Sequence, residues 1–283
     1  MRPATRAFRL IGTVLSASAL LLTGCGQQIA VLNPQGPVGK SEAHLIWWAI
    51  GLMSIVLIAV FGIFAYVLVK YRARKDGQQE NYEPEMEGNR KLETIWTVIP
   101  VVIVILLAIP TVRTTAQLAA PPAAKDPITI DVTSADWKWI FKYPNQGIET
   151  VNYVTIPAGT PVNFRLTAVG PMNSFWVPSL GGQEYSMPGM SMTLWLEAAH
   201  PGTFLGRSAN FSGKGFVHMT FNVVAKSKDQ FSAWVAQVKH NAPPLSEAEY
   251  QQILKPSVVK EMTFSSIPAV KNQAASNSTM GGM

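Results

Sequence analysis

The hydrophobic and polar positions of the chain form two long apolar runs followed by a region of short alternating segments. Residues 45–69 form a run of 25 residues without a charge, and a second uncharged run covers residues 94–112. A helix as long as the first run rises about 37 Å, which exceeds a hydrocarbon core of about 30 Å. Pro100 and Pro110 lie inside the second run, and membrane helices tolerate proline better than soluble helices do. We predict two membrane spans, with a buried core helix as the alternative for the second run.

The basic residues around these runs predict how the spans are oriented. The loop at residues 70–91 contains six lysines and arginines, whereas the outer flanks contain only Lys40, Arg113 and Lys125. Short cytoplasmic loops are enriched in lysine and arginine. The loop is therefore predicted to be cytoplasmic, and both the N-terminal segment and everything after the second span to be extracytoplasmic.

The first 24 residues have a basic start and a short apolar run, which is typical of a secretory signal peptide. They end at Leu22-Thr23-Gly24-Cys25, which resembles a bacterial lipobox. That resemblance implies that Cys25 becomes the first residue of the mature chain and carries fatty-acyl groups such as palmitate. A chance cysteine behind an ordinary signal peptide is the alternative.

Alternating apolar and polar residues begin after a linker rich in proline and alanine at residues 114–126. Residues 128–132, 162–166 and 219–223 alternate with a period of two, and glycine and proline separate such segments. This pattern predicts an antiparallel β-sandwich or barrel over residues 127–225. The whole chain is thus predicted to be an α+β membrane protein, with a two-helix transmembrane hairpin within residues 25–113 and a C-terminal β-domain.

The segment after the β-domain is predicted to be a short helical arm over residues 226–262. Apolar residues lie on one helical face, and Pro243-Pro244 breaks the helix before it restarts near Ser246. Residues 263–283 are mostly small and polar, which predicts a flexible tail.

Composition excludes several functions. The chain is 14% charged, against about 25% in soluble domains, and its net charge of +6 comes with no basic stripe that would suit nucleic acid. Cys25 is the one cysteine, which excludes intrachain disulfides and metal sites built from several cysteines. No nucleophilic triad, phosphate-binding loop or paired-carboxylate site is evident, so we expect no catalytic residue in this chain.

Four segments, in order, carry a resemblance to subunit 2 of haem-copper terminal oxidases. The first matches the start of the family's second transmembrane helix, and the others match its aromatic stretch, its VPSLG turn and the strand before its copper loop. They are LETIWTVIP at 92–100, ADWKW at 135–139, FWVPSLG at 175–181 and PGTFLGR at 201–207. The resemblance implies a cupredoxin-like fold for the β-domain.

In cytochrome c oxidases this subunit binds two copper ions through an early histidine and a loop that reads C-x-E-x-C-x-x-x-H-x-x-M. The matching positions here are Asn173, Ser208, Asn210, Ser212, Phe216 and Met219. A serine hydroxyl is a neutral, hard donor that cannot bridge copper as a thiolate does, and phenylalanine donates nothing. We therefore expect this chain to bind no metal.

Loss of the copper ligands is the pattern of quinol oxidases, of the cytochrome bo-type ubiquinol or aa-type menaquinol kind. The resemblance implies subunit 2 of a proton-pumping respiratory complex that oxidises quinol and reduces dioxygen to water. It implies partnership with subunit 1, smaller membrane subunits and the bilayer of the bacterial cytoplasmic membrane. The haems and the remaining copper are expected in subunit 1, and no cofactor in this chain.

Glu93 is the one residue for which the resemblance implies a direct role in turnover. The matching glutamate lies at the cytoplasmic mouth of a proton path into subunit 1, and ionisable groups at membrane depth are functional candidates. An interfacial carboxylate favoured by the helix dipole is the alternative. Trp137 and Trp139 are expected to pack the β-domain rather than to serve electron transfer.

Two other functions compete with this prediction. An ordinary cytochrome c oxidase subunit 2 would need the cysteines and histidines that are missing. A free-standing, membrane-anchored lipoprotein that binds a ligand would explain the lipobox and the lost ligands, but not the helix motif around Glu93. Co-purification with haem would distinguish an oxidase subunit from such a module.

Overall fold

The computed structural model describes residues 29–71, 88–123 and 125–268. The predicted signal peptide, Cys25, most of the predicted cytoplasmic loop and the tail beyond residue 268 lie outside these ranges. A 3-10 turn at Ala30–Leu32 precedes helix α1 (Pro37–Lys70), and helix α2 spans Arg90–Leu118. Both helices have the length and composition to cross a membrane, and the most apolar part of each is not buried by the rest of the described chain. That exposure excludes a buried core helix for the second apolar run.

A hydrogen bond between the two helices compensates for a proline in α2. Pro110 has no backbone N–H, so the carbonyl of Leu106, four residues earlier, loses its usual helical donor. The indole Nε1 of Trp48 on α1 donates to that oxygen at 3.2 Å. The proline therefore creates a polar contact that fixes α1 against α2 at this level.

The β-domain is a sandwich of two sheets. The strands are β1 (Ile128–Ala135), β2 (Lys138–Tyr143), β3 (Ile148–Val151), β4 (Tyr153–Pro157), β5 (Val162–Val169), β6 (Asn173–Trp176), β7 (Gln183–Ser186), β8 (Met192–Leu196), β9 (Gly202–Ser208), β10 (Thr220–Lys226) and β11 (Met262–Phe264). The first sheet has the strand order β11-β3-β2-β1-β5-β8, and the second has the order β4-β10-β9-β6-β7.

The sandwich is mixed, where the sequence pattern predicted antiparallel strands throughout. Strand β1 pairs with β5, and β10 pairs with β4, in parallel, while the other strand pairs are antiparallel. The chain passes through β4 of the second sheet between β1 and β5, and such a crossover lets two strands of one sheet run the same way. Alternation within a strand shows which residues are buried but not the direction of the neighbouring strand.

The core between the sheets is rich in aromatic residues. Trp139, Phe141, Phe175 and Phe221 are each no more than 2% exposed. The rings of Phe175 and Phe221 stack with centroids 4.9 Å apart, and Trp139 meets Phe175 edge-on at 5.3 Å. These rings join the two sheets at their centre and hold the strands on which the predicted site residues lie.

The start of α1 belongs to the β-domain, which the sequence pattern did not predict. Val38 is 4% exposed and packs in the sandwich core. The backbone N–H of Gln35 donates to the Ser179 carbonyl at 2.7 Å, and that of Gly39 to Leu180 at 2.9 Å. Only glycine fits at position 36, because a Cβ there would lie 2.0 Å from the Glu197 carbonyl oxygen. The first turn of the membrane helix is therefore fixed to the VPSLG turn.

The C-terminal arm contains helix α3 (Lys228–Asn241), helix α4 (Glu247–Ile253) and strand β11. Both helices lie where the sequence predicted them, and Ser227 and Gln230 form a capping box at the start of α3. The predicted boundary between arm and tail at residues 262 and 263 falls inside β11, which pairs with β3. Phe264 is 3% exposed in a second apolar cluster beneath α4, which packs this strand against the domain.

Candidate functional site

The structure places the six positions that match the copper ligands at one end of the sandwich. Asn173 begins β6, Ser208 ends β9, and the following loop carries the remaining four. The hydroxyl of Ser208 lies 3.3 Å from Asn173 Oδ1 and 3.1 Å from the Asn210 carbonyl oxygen. Asn173 and Ser208 are buried, and the single proton of the Ser208 hydroxyl is shared between these two acceptors within the site.

The other half of this site is held by sulfur and backbone contacts. Ser212 Oγ donates to Met219 Sδ at 3.8 Å, and Met219 is 1% exposed. The Ser208 N–H donates to the Met219 carbonyl at 3.0 Å. The ring of Phe216 packs on that of Phe211 at 5.5 Å. The predicted strand at 219–223 begins one residue later, because Phe216–His218 form a 3-10 turn.

The donors in this site do not fit a dinuclear copper centre. They are two hydroxyls, two amides and a thioether, and none is an anionic soft ligand of the kind that bridges copper. Throughout the described ranges, no group of three histidine, cysteine, aspartate or glutamate side chains is close enough to hold a metal ion. The chemistry of this site is that of structural hydrogen bonding.

The two tryptophans beside this site are packed within the domain. Trp139 is fully buried. Trp137 donates from Nε1 to the Ser212 carbonyl at 2.9 Å. Its ring covers Gly215, where a Cβ would lie 2.3 Å from the ring. Neither indole is arranged as a freely exposed docking surface.

A buried lysine between these tryptophans links this end of the domain to the C-terminal arm. Lys138 is fully buried, and its Nζ donates to the carbonyls of Asp136 and Lys255, both at 2.8 Å. Burial lowers the pKa of the Lys138 ammonium. A single lysine inside an aromatic motif gave no signal of this role in the sequence, because its partner is 117 residues away.

The structure places Glu93 at the start of α2, which is the end of that helix away from the sandwich and its former ligand positions. Asn89 caps this helix, its Oδ1 accepting from the N–H groups of Lys91 and Leu92 at 3.0 and 3.4 Å. Glu93 follows in the first turn, where the helix dipole favours an anion. The far end of α2 reaches the sandwich, because Trp195 Nε1 donates to the Leu118 carbonyl at 2.7 Å. A helix of 29 residues spans about 43 Å, so Glu93 and the sandwich lie on opposite sides of a bilayer.

Two family models match this chain. The model described as "Cytochrome C oxidase subunit II, transmembrane domain" matches residues 36–114, and "Cytochrome C oxidase subunit II, periplasmic domain" matches residues 145–227. This chain is therefore the second subunit of a haem-copper oxidase. It consists of a two-span hairpin that carries a cupredoxin-like sandwich.

Individual relatives identify the kind of oxidase to which this subunit belongs. "Quinol oxidase subunit 2" of Bacillus cereus is 53% identical over 92% of this chain and 91% of its own length. The protein of the same name from Bacillus subtilis is 43% identical over 91% of this chain and 81% of its own length. The crystallised periplasmic domain of subunit II of cytochrome oxidase from Bradyrhizobium japonicum is 23% identical, covers 41% of this chain and 96% of that domain, and has a TM-score of 0.40. The chain belongs to the quinol oxidase subunit 2 family, and it is a bacterial membrane protein with an extracytoplasmic β-domain.

Proposed function

We propose that this chain is the structural subunit of a complex that oxidises quinol and reduces dioxygen to water, with no redox centre of its own. The observation that carries the proposal is that the polar groups where copper ligands would lie are hydrogen-bonded within the protein. The Ser208 hydroxyl faces Asn173 Oδ1 and the Asn210 carbonyl, and the amides of Asn173 and Asn210 donate to the carbonyls of Pro171 and Met172. A soluble electron donor needs a metal at this surface, whereas a lipid-soluble quinol reaches the membrane subunit directly. The haems and copper then belong to subunit 1. As a separate part of the proposal, Cys25 carries a lipid anchor.

Donor preference and metal content test this function. We expect the complex, isolated gently from its native membrane, to contain haem and to consume oxygen with quinol but not with reduced cytochrome c. The chain separated from that complex should carry no copper. Copper on the separated chain, or respiration with cytochrome c, would contradict the proposal. A chain that purifies alone and without haem would favour the free-standing binding module.

We further propose that Glu93 serves the complex as a proton-uptake residue on the cytoplasmic side. Its support is its position: it is exposed in the first turn of a membrane helix, on the side away from the sandwich. The carboxylate can exchange protons with the cytoplasm and still face a neighbouring subunit. No other described acidic residue lies at this end of the hairpin.

Glu93→Gln is expected to lower quinol-driven turnover about tenfold, which corresponds to about 1.4 kcal/mol on the activation barrier. The amide keeps the size of the side chain but cannot carry a proton. Oxygen uptake and proton release by the complex in vesicles are the measurements, and Glu93→Asp should restore part of the rate. Glu247→Gln is the matched control, since Glu247 also lies in an exposed first helical turn, of α4, on the other side of the membrane. Unchanged turnover in Glu93→Gln would leave Glu93 as an interfacial carboxylate.

A further inference from the structure

A groove between the two membrane helices lies at their extracytoplasmic end, away from the former ligand positions. It encloses about 520 Å³. Its walls are apolar and come from both helices, with Leu45 and Trp48 on α1 facing Leu106 and Ile109 on α2. A groove of this size suits part of a lipid or a small amphipathic molecule.

The apolar wall of this groove is held in place by the proline of α2. Trp48 lines the groove while its Nε1 is bonded to the Leu106 carbonyl that Pro110 leaves free. An indole with a fixed partner keeps one orientation. The groove is therefore formed by the pairing of the two helices and does not need a ligand to open it.

The polar end of the groove lies at the extracytoplasmic ends of the two uncharged runs. His44 immediately precedes the run at 45–69, and Arg113 immediately follows the run at 94–112. Gln117, one turn further along α2, also lines the groove. Residues at this level of a span meet lipid headgroups rather than acyl chains. The groove thus has donors at headgroup depth and apolar walls below them.

The lining of this groove has one fixed charge, that of Arg113. Glu42 lines an adjoining pocket that shares Leu45 and Thr114 with the groove, and its Oε1 accepts from the Gly182 N–H. No aspartate or glutamate lines the groove itself. The ion pairs found in the described part of the chain are Lys125–Glu197 and Arg165–Asp131, so Arg113 is in none of them. A guanidinium is charged at any physiological pH, and its planar fork matches a phosphate. The groove therefore favours a ligand with a fixed negative charge.

We infer that this groove binds one anionic phospholipid. Arg113 holds the phosphate, His44 and Gln117 donate hydrogen bonds to the headgroup, and an acyl chain lies along Leu45 and Trp48. Free phosphate would leave the apolar walls unused, and a quinol is neutral and would leave the arginine uncompensated. This inference goes beyond the proposed function, because it depends neither on the electron donor nor on Glu93.

Lipid retention by the intact complex tests this site. Complexes stripped of lipid in detergent would be incubated with phosphatidylglycerol or with phosphatidylcholine and weighed by native mass spectrometry. We expect the wild type to retain one phosphatidylglycerol in preference to phosphatidylcholine. Arg113→Gln should weaken this binding about fivefold, since one basic side chain at a membrane surface contributes about 1 kcal/mol.

Two further variants separate the groove from general surface charge. Lys40→Gln is the matched control, because Lys40 is exposed on α1 one turn before His44 and does not line the groove; it should bind phosphatidylglycerol like the wild type. Ile109→Trp fills the apolar wall without changing charge and should also weaken binding. Each variant is compared at equal haem content, so a defect in assembly is recognised separately.

Three results would overturn the inference. The first is a wild-type complex that retains no lipid, and the second is equal binding of phosphatidylglycerol by Arg113→Gln and the wild type. The third is a bound molecule with the mass of a quinol that is present in the wild-type complex and lost in Arg113→Gln. Because binding is measured by mass and not by respiration, failure of the proposed donor preference would leave this measurement intact.

Discussion

Replacing Phe221 by alanine is expected to lower the free energy of unfolding of the β-domain by about 3–5 kcal/mol. Phe221 is 2% exposed and stacks on Phe175 at the centre of the core. It is also paired across the strands with Gly206, where a Cβ would lie 2.1 Å from the Phe221 ring. The ring fills space that its partner strand leaves empty, so its removal creates a cavity that neighbouring side chains cannot close.

Denaturant unfolding of the full chain in detergent, followed by tryptophan fluorescence, measures this loss. Phe211→Ala is the matched control, because the Phe211 side chain is 75% exposed in the loop after β9, and it should change the free energy by no more than about 0.5 kcal/mol. Equal losses in the two variants would show that the buried Phe221 ring does not stabilise the sandwich core.

The elements that could be predicted from the sequence are those with a strong local pattern. The uncharged runs at 45–69 and 94–112 lie within α1 and α2, and the alternating segments at 128–132 and 162–166 lie within β1 and β5. Patterns of this kind depend on neighbouring residues only. Strand β11 has no such pattern, because three residues gain their order from pairing with β3 and from a cluster assembled by distant segments.

For the candidate site, the positions of the residues could be predicted from the sequence, but their hydrogen-bond partners could not. The resemblance identified six positions by order and spacing, and the structure brings them together at one end of the sandwich. The hydrogen bond from Ser208 to Asn173 could not be predicted, since it joins strands 35 residues apart. The same holds for the contact between Lys138 and Lys255. Buried polar residues find their partners through tertiary folding, and sequence periodicity does not report those partners.

A buried carboxyl beneath the C-terminal arm makes stability depend on pH. Glu149 on β3 is 1% exposed, and its Oε1 has no hydrogen-bond partner. Its neighbours in register are Lys142 on β2 and Phe264 on β11, and Tyr250 of α4 also interacts with it. Burial raises the pKa of Glu149 from 4.5 to about 7, and the positive charge of Lys142 only partly opposes this rise.

The sign of the effect follows from which state binds the proton. Between pH 4.5 and about 7 the folded chain keeps a proton on Glu149, while the unfolded chain has released it. Stability from this group is therefore greatest in acid, falls as the pH rises through that window and is lowest above about pH 7. A change in pKa of this size corresponds to about 3 kcal/mol. The extracytoplasmic location of the domain exposes it to the more acidic side of an energised membrane.

Glu149→Gln is expected to raise the free energy of unfolding by about 2–3 kcal/mol at pH 8.5 and to change it little at pH 5, because glutamine keeps the shape of the protonated acid without its titration. Denaturant unfolding at both pH values measures the change, and hydrogen exchange in α4 and β11 localises it to the arm. Glu249→Gln is the matched control, since Glu249 lies exposed on α4 of the same arm and should leave the pH dependence unaltered. If Glu149→Gln instead keeps the wild-type fall in stability between pH 5 and pH 8.5, another group causes that fall.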